Sequence, residues 1–187
     1  MTKLLRSTRL RAAFLASAAA LLAACSDAPT APSARPTAVN ASVADPSAVA
    51  APTSGTLLAC PSATTQSATA VIGPRGGVVG VAGSALIVPA HAVRKPTTFT
   101  FVVPASPVVQ VEIHTAGATH YEFARPVAVS ISYARCAADV LPDAQLGAWW
   151  VDGATLARLG VMAGIDDRQH RRVTFITDHL SGYAVVY

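Results

Sequence analysis

The chain has 187 residues, 52% of them hydrophobic and 13% charged, with 14 basic against 10 acidic side chains. Four of the basic residues, Lys3, Arg6, Arg9 and Arg11, fall in the first 24 positions, where there is no acidic residue, so the remainder carries ten of each sign and is formally neutral. A neutral chain has no electrostatic footprint for nucleic acid, which is excluded as a partner.

The four cations precede an apolar run over residues 12–22. That run is too short to cross a bilayer as a mature helix, and it reads as the core of a signal peptide over residues 1–24. Leu22-Ala23-Ala24-Cys25 follows. Small residues ahead of a cysteine suit the signal peptidase, and the thiol of Cys25 is the expected site of lipidation; the alternative is an ordinary secreted chain. In this lipobox the chain resembles Gram-negative lipoproteins, and Ser26 directly after the cysteine then implies a lipid anchor in the outer membrane, on its periplasmic face or at the cell surface. The membrane is thus the first expected partner.

Residues 26–55 are rich in Ala, Ser, Thr, Pro and Val, with prolines at 29, 32, 36, 46 and 52 and no aromatic residue. Such a tract buries too little apolar surface to order itself and is expected to be a disordered linker. As a flexible chain it spans about 30 Å, and as extended polyproline II about 90 Å. Residues 25–55 are therefore assigned to the lipidated cysteine and linker, and residues 56–187 to one folded domain. With Cys25 taken by lipid, Cys60 and Cys136 remain as a disulfide pair for an oxidising compartment, two buried free thiols being the alternative.

Gly73-Pro74-Arg75-Gly76-Gly77 separates two short β-branched runs and reads as a hairpin turn. A phosphate loop is a poor alternative, because no Lys-Ser or Lys-Thr follows the glycines. Gly80 and Gly83 bracket a second bend, residues 84–88 form a strand that must stop at Pro89, and residues 89–92 make a corner. Residues 97–103 alternate Thr98 and Thr100 outward with Phe99, Phe101 and Val103 inward, and residues 108–114 and 127–133 alternate in the same way. Pro126 makes residues 118–123 and 127–133 either separate elements or one bent strand. Residues 137–145 read as an irregular connection with room for one helical turn. Residues 147–151 form a strand, Asp152-Gly153 a hairpin signal, residues 158–162 the returning strand, residues 164–170 a polar loop, and residues 171–177 and 181–187 the last two strands. The expected fold is all-β, an antiparallel β-sandwich of about eight to ten strands.

Four stretches in order resemble the ZU-five domain of zonula occludens proteins, uncoordinated-five netrin receptors, ankyrins and many bacterial exported proteins. Gly76-Gly77 stands at its paired glycines. Residues 86–93, LIVPAHAV, stand at its apolar strand and Ile-Pro-Pro-Gly-Ala-Leu corner, with His91 replacing the glycine. Tyr121-Glu122-Phe123-Ala124-Arg125-Pro126-Val127 resembles its Tyr-x-Phe-x-x-Pro-Val element, and His179-Leu180-Ser181-Gly182-Tyr183-Ala184-Val185 its closing His-Phe-Ser-x-Tyr-Ala-Val. The resemblance implies a non-catalytic interaction or structural module. Some relatives cleave themselves before the serine, which would make Ser181 a nucleophile and His179 its base, acting on the Leu180-Ser181 peptide, with Leu180 standing where the family has phenylalanine.

Other chemistry finds little support. Trp149 and Trp150 point to opposite faces of one strand, one expected in the core beside Leu159 and the other free to stack on a sugar or anchor a partner. The histidines at 91, 114, 120, 170 and 179 share no ligand spacing, and Asp166-Asp167 lacks the further oxygens that calcium requires and reads as a solvated turn. Glu112 and Glu122 lie in different strands, and no nucleophile elbow surrounds Ser84. The reading is a lipid-anchored envelope protein without enzymatic activity, metal or cofactor, whose domain binds an envelope protein or a glycan.

Overall fold

The structure is a computed structural model that describes residues 54–117 and 121–187. The expected signal peptide, the expected lipidation site Cys25, nearly all of the expected linker and His120 lie outside the described residues. Eleven strands run in chain order as β1 (Gln66–Ile72), β2 (Gly77–Val81), β3 (Ser84–Val88), β4 (Thr97–Val103), β5 (Gln110–Thr115), β6 (Glu122–Ser132), β7 (Gly147–Val151), β8 (Arg158–Met162), β9 (Gly164–Asp167), β10 (Arg172–His179) and β11 (Gly182–Val186). They form two antiparallel sheets, one in the order β1-β4-β5-β11-β7-β8 and the other β2-β3-β6-β10-β9. The fold is an antiparallel β-sandwich, with one strand more than the upper end of the expected range.

The alternation read from the sequence fills the space between the sheets. Phe99, Phe101, Val111 and Ile113 from one sheet meet Leu86, Val129, Ile131 and Phe175 from the other, all fully or almost fully buried. Each such side chain contributes roughly 1.5–3 kcal/mol of transfer free energy. Trp149 does not join this core. It packs with Val151, Ala184 and Val186 on the outer face of its sheet, against Leu57 and Leu156, with the Arg158 guanidinium 5.2 Å from its ring centre. Leu159, its expected neighbour, is exposed.

Residues 73–77 do turn tightly, with the Gly76 amide donating to the Gly73 carbonyl at 2.9 Å, but they do not make a hairpin. The turn carries the chain from one sheet to the other: β1 pairs with β4, where Ala70 and Ala68 face Phe99 and Phe101, and β2 pairs with β3. Small residues opposite large aromatic ones give β1 a better partner than its sequence neighbour. Gly76 is required here, since its φ is +77° and a Cβ would come within 2.4 Å of the Val88 carbonyl oxygen. His91, in the position of the expected corner glycine, takes the left-handed conformation at φ 67° and donates its amide to the Pro74 carbonyl.

Pro126 lies within β6, which runs through it as one bent strand. Opposite β10 the register jumps from Thr177 with Val127 to His179 with Glu122, so the residues around Pro126 bulge out of the ladder, where a missing N–H costs nothing. Residues 152–157 form a longer loop between β7 and β8 than a two-residue Asp-Gly turn, because Asp152 accepts from the Thr155 amide at 2.8 Å and the Ala154 amide at 3.1 Å.

Two further expectations are corrected around residues 164–170. Residues 164–167 are strand β9, paired with β10, and Asp166 is not a solvated turn residue. Its carboxylate is buried and accepts from the Tyr133 hydroxyl at 2.6 Å, the Leu146 amide at 3.0 Å and Arg168 Nε at 2.5 Å. Burial and the Asp166 hydrogen bond together hold the Tyr133 hydroxyl well above the ordinary phenol range.

Cys60 and Cys136 stand at disulfide distance, with Cα atoms 5.3 Å apart across a sequence separation of 76. Arg135 beside them donates to the Cys60 carbonyl at 2.8 Å and the Val108 carbonyl at 2.7 Å, binding the entry segment and the approach to β5 to the end of β6. Non-reducing peptide mapping is expected to recover the Cys60 and Cys136 peptides joined. Reduction should lower the unfolding free energy by roughly 4 kcal/mol in the chain-entropy account, read as a shift of the urea midpoint.

Candidate functional site

β11 begins at Gly182, where a Cβ would meet the Val151 carbonyl oxygen at 2.9 Å. It pairs with β5 at Glu112 and with β7 at Val151, while β5 continues to Thr115. The sheet therefore has a notch just before its central strand. An open cleft of about 350 Å³ occupies this notch, walled by Glu112, His114 and Thr115 of β5, Tyr121, Trp150 of β7 and the Leu180-Ser181-Gly182 turn.

The His179-Leu180-Ser181 stretch forms one side. Leu180 is buried and donates its amide to the Tyr121 carbonyl at 3.1 Å, and the Ser181 carbonyl accepts from the Ile113 amide at 3.1 Å. The Ser181 hydroxyl accepts from Trp150 Nε1 at 2.5 Å. The same indole lies 4.5 Å, centre to centre, from the His179 imidazole. His179 Nδ1 faces Asp178 Oδ1 at 2.9 Å and Thr177 Oγ1 at 3.3 Å, and its Nε2 is buried without a hydrogen-bond partner. Asp178 is held below the usual carboxylate range by its hydrogen bond to His179. His179 and Ser181 thus share Trp150 as their common contact.

Tyr183 supports the turn from inside. Its hydroxyl donates to the His179 carbonyl at 2.7 Å and lies 3.1 Å from Thr177 Oγ1. Burial pushes this phenol from 10.0 up to about 12. On the other side Tyr121 is fixed edge-on by Phe99 and Phe123, at 5.4 and 5.1 Å between ring centres. Glu112 holds His114 at 3.3 Å, and the Thr115 hydroxyl is buried with no partner.

The remaining expected residues are dispersed. Glu122 lines a separate depression with Arg94 and Lys95, so the two glutamates do not share the cleft. His91 sits at its corner, and His170 pairs with Asp167 at 2.7 Å. Among the described residues no three His, Cys, Asp or Glu side chains gather as a metal would need. Thr115 carries no motif, Tyr121 stood out only as the start of the Tyr-x-Phe-x-x-Pro-Val resemblance, and the hydrogen bond from Trp150 to Ser181 joins positions 31 apart. Only the register of β7 against β11 brings them together.

No protein-family model matches the chain, and no curated protein is similar to it.

The raised phenol of Tyr183 has a consequence in alkali. An unfolded tyrosine ionises near 10 while the folded one waits until about 12, so the stability that this group contributes is complete below pH 10 and is lost as pH rises from there to 12. Unfolding midpoints measured from pH 9 to 12 should fall over that interval. Tyr183→Phe should fall less steeply, with Tyr133 supplying the remaining slope.

Proposed function

We propose that this chain is a lipid-anchored envelope protein whose ZU-five-like sandwich works as a non-catalytic interaction module. The observation that carries the non-catalytic part is the state of the Ser181 hydroxyl. Its oxygen accepts a hydrogen bond from the Trp150 indole, a donor with no basic atom, while His179 Nδ1 is turned to Asp178 and Thr177 and His179 Nε2 makes no hydrogen bond to the hydroxyl. A nucleophile needs a base on its hydroxyl proton. The pair His179 and Ser181 therefore serves better as a rigid wall than as a reactive couple.

The open cleft beside that wall offers aromatic and polar surface at the end of a stiff sandwich, as a recognition site requires. The anchor rests on the Leu22-Ala23-Ala24-Cys25 lipobox, and the linker rests on the composition of residues 26–55. Together they would hold the domain clear of a membrane on a flexible lead, with the cysteine pair suited to an oxidising envelope. The partner in this reading is an envelope protein or glycan.

Cell fractionation of parent and Cys25→Ala chains tests the anchor. The parent should partition with outer-membrane lipid and the variant should appear in the soluble fraction at equal folded stability. A variant that stays with the membrane would place attachment elsewhere and overturn the lipoprotein reading.

A further inference from the structure

We propose that the cleft before β11 is a binding site for a single neutral pyranose ring, such as a hexose or N-acetylhexosamine residue of an envelope glycan. This rests on the interaction-module reading and names the chemistry of its partner.

The cleft volume of about 350 Å³ lies at the low end of small-ligand sites, enough for one ring and its substituents. A pyranose has apolar C–H faces and a rim of hydroxyls that both donate and accept. The cleft answers both. Tyr121 and Trp150 supply aromatic surface, and each is immobilised, Tyr121 between Phe99 and Phe123 and Trp150 by Ser181 and His179. Preorganised rings lose little entropy when they stack on a ligand.

The polar side is supplied by Glu112 and His114. A carboxylate accepts two sugar hydroxyl protons, and Glu112 lines the cleft with its side chain held by His114. Thr115 stands on the opposite face of β5 from Glu112 and His114, in phase with the core residues Val111 and Ile113. It is only 9% exposed and lines the cleft, and its hydroxyl has no hydrogen-bond partner.

Charge narrows the class. The described residues lining the cleft include a glutamate, paired with His114, and neither lysine nor arginine, so uronic and sialic acids would meet a like-charged carboxylate with no permanent cation beside it. A peptide C-terminus is disfavoured on the same ground.

The chain has two tryptophans, and only Trp150 faces the cleft, so the full-length protein labelled with ¹⁵N-tryptophan in detergent gives two indole signals as probe and control. Titration with methyl N-acetyl-β-glucosaminide, methyl β-glucoside and methyl β-glucuronide runs to roughly 50 mM, because single-ring sites bind weakly. A saturable shift of the Trp150 indole with a neutral glycoside is expected, with Trp149 unmoved and the glucuronide silent. Glu112→Gln should weaken that response roughly fivefold to tenfold at unchanged unfolding midpoint. Silence with both neutral glycosides overturns the proposal, as does equal response to the glucuronide, saturation by a blocked dipeptide instead, or undiminished binding by Glu112→Gln. Such a failure would leave the anchor reading standing, since fractionation of Cys25→Ala does not depend on the cleft.

Discussion

The structure depends on the position of its last strand. All five residues of β11 are buried, and the strand is hydrogen-bonded on both edges, to β5 and to β7, in the middle of the six-stranded sheet. The entry segment closes over the same place. Thr56 exchanges backbone hydrogen bonds with Tyr187, and the Leu58 amide donates to the Val185 carbonyl. Without β11 the sheet would fall into two parts, each with an unpaired edge beside the core. Long-range pairing of this kind makes the whole domain cooperative, because its first and last described segments are joined in one ladder.

The two ends of β5 are then put to different uses. Where β5 begins, Arg135 and the cysteine pair fasten the entry segment and the approach to β5 to the end of β6, and burial lowers the Arg135 pKa without removing its two carbonyl partners. Where β5 ends, the sheet is left open, because Gly182 starts β11 late and Thr115 extends past it. Rigidity at one end and an unfilled notch at the other are both consequences of the same central register. The turn that precedes β11 is held by three groups that reach it from other strands: Tyr121 through the Leu180 amide, Ile113 through the Ser181 carbonyl, and Trp150 through the Ser181 hydroxyl.

Strands with clean alternation and a hard stop were legible in the sequence. Residues 84–88 before Pro89, 97–103 and 147–151 have the bounds that their pattern implies. Pairing was less legible. The turn at residues 73–77 is a local signal, whereas the partner of β1 is chosen by Phe99 and Phe101 some thirty residues on. Strand β9 hid behind Asp166-Asp167, since an inward carboxylate on an edge strand is tolerable only with donors such as Tyr133, 33 positions away. The same limit applies to the cleft: His179, Ser181, Tyr121 and Trp150 each stood out in the sequence, but nothing local showed that they share one cleft, and Thr115 gave no signal.

The central claim is that Ser181 is a fixed hydrogen-bond acceptor in a binding wall and not a nucleophile. Intact-mass measurement of the purified chain under denaturing conditions tests it most directly, since a cut before Ser181 would leave β11 in place by sheet hydrogen bonds and escape detection in the folded protein. One species that retains Ser181 to Tyr187 is the predicted result. A product ending at Leu180, accompanied by the released C-terminal peptide and absent from Ser181→Ala, would contradict it.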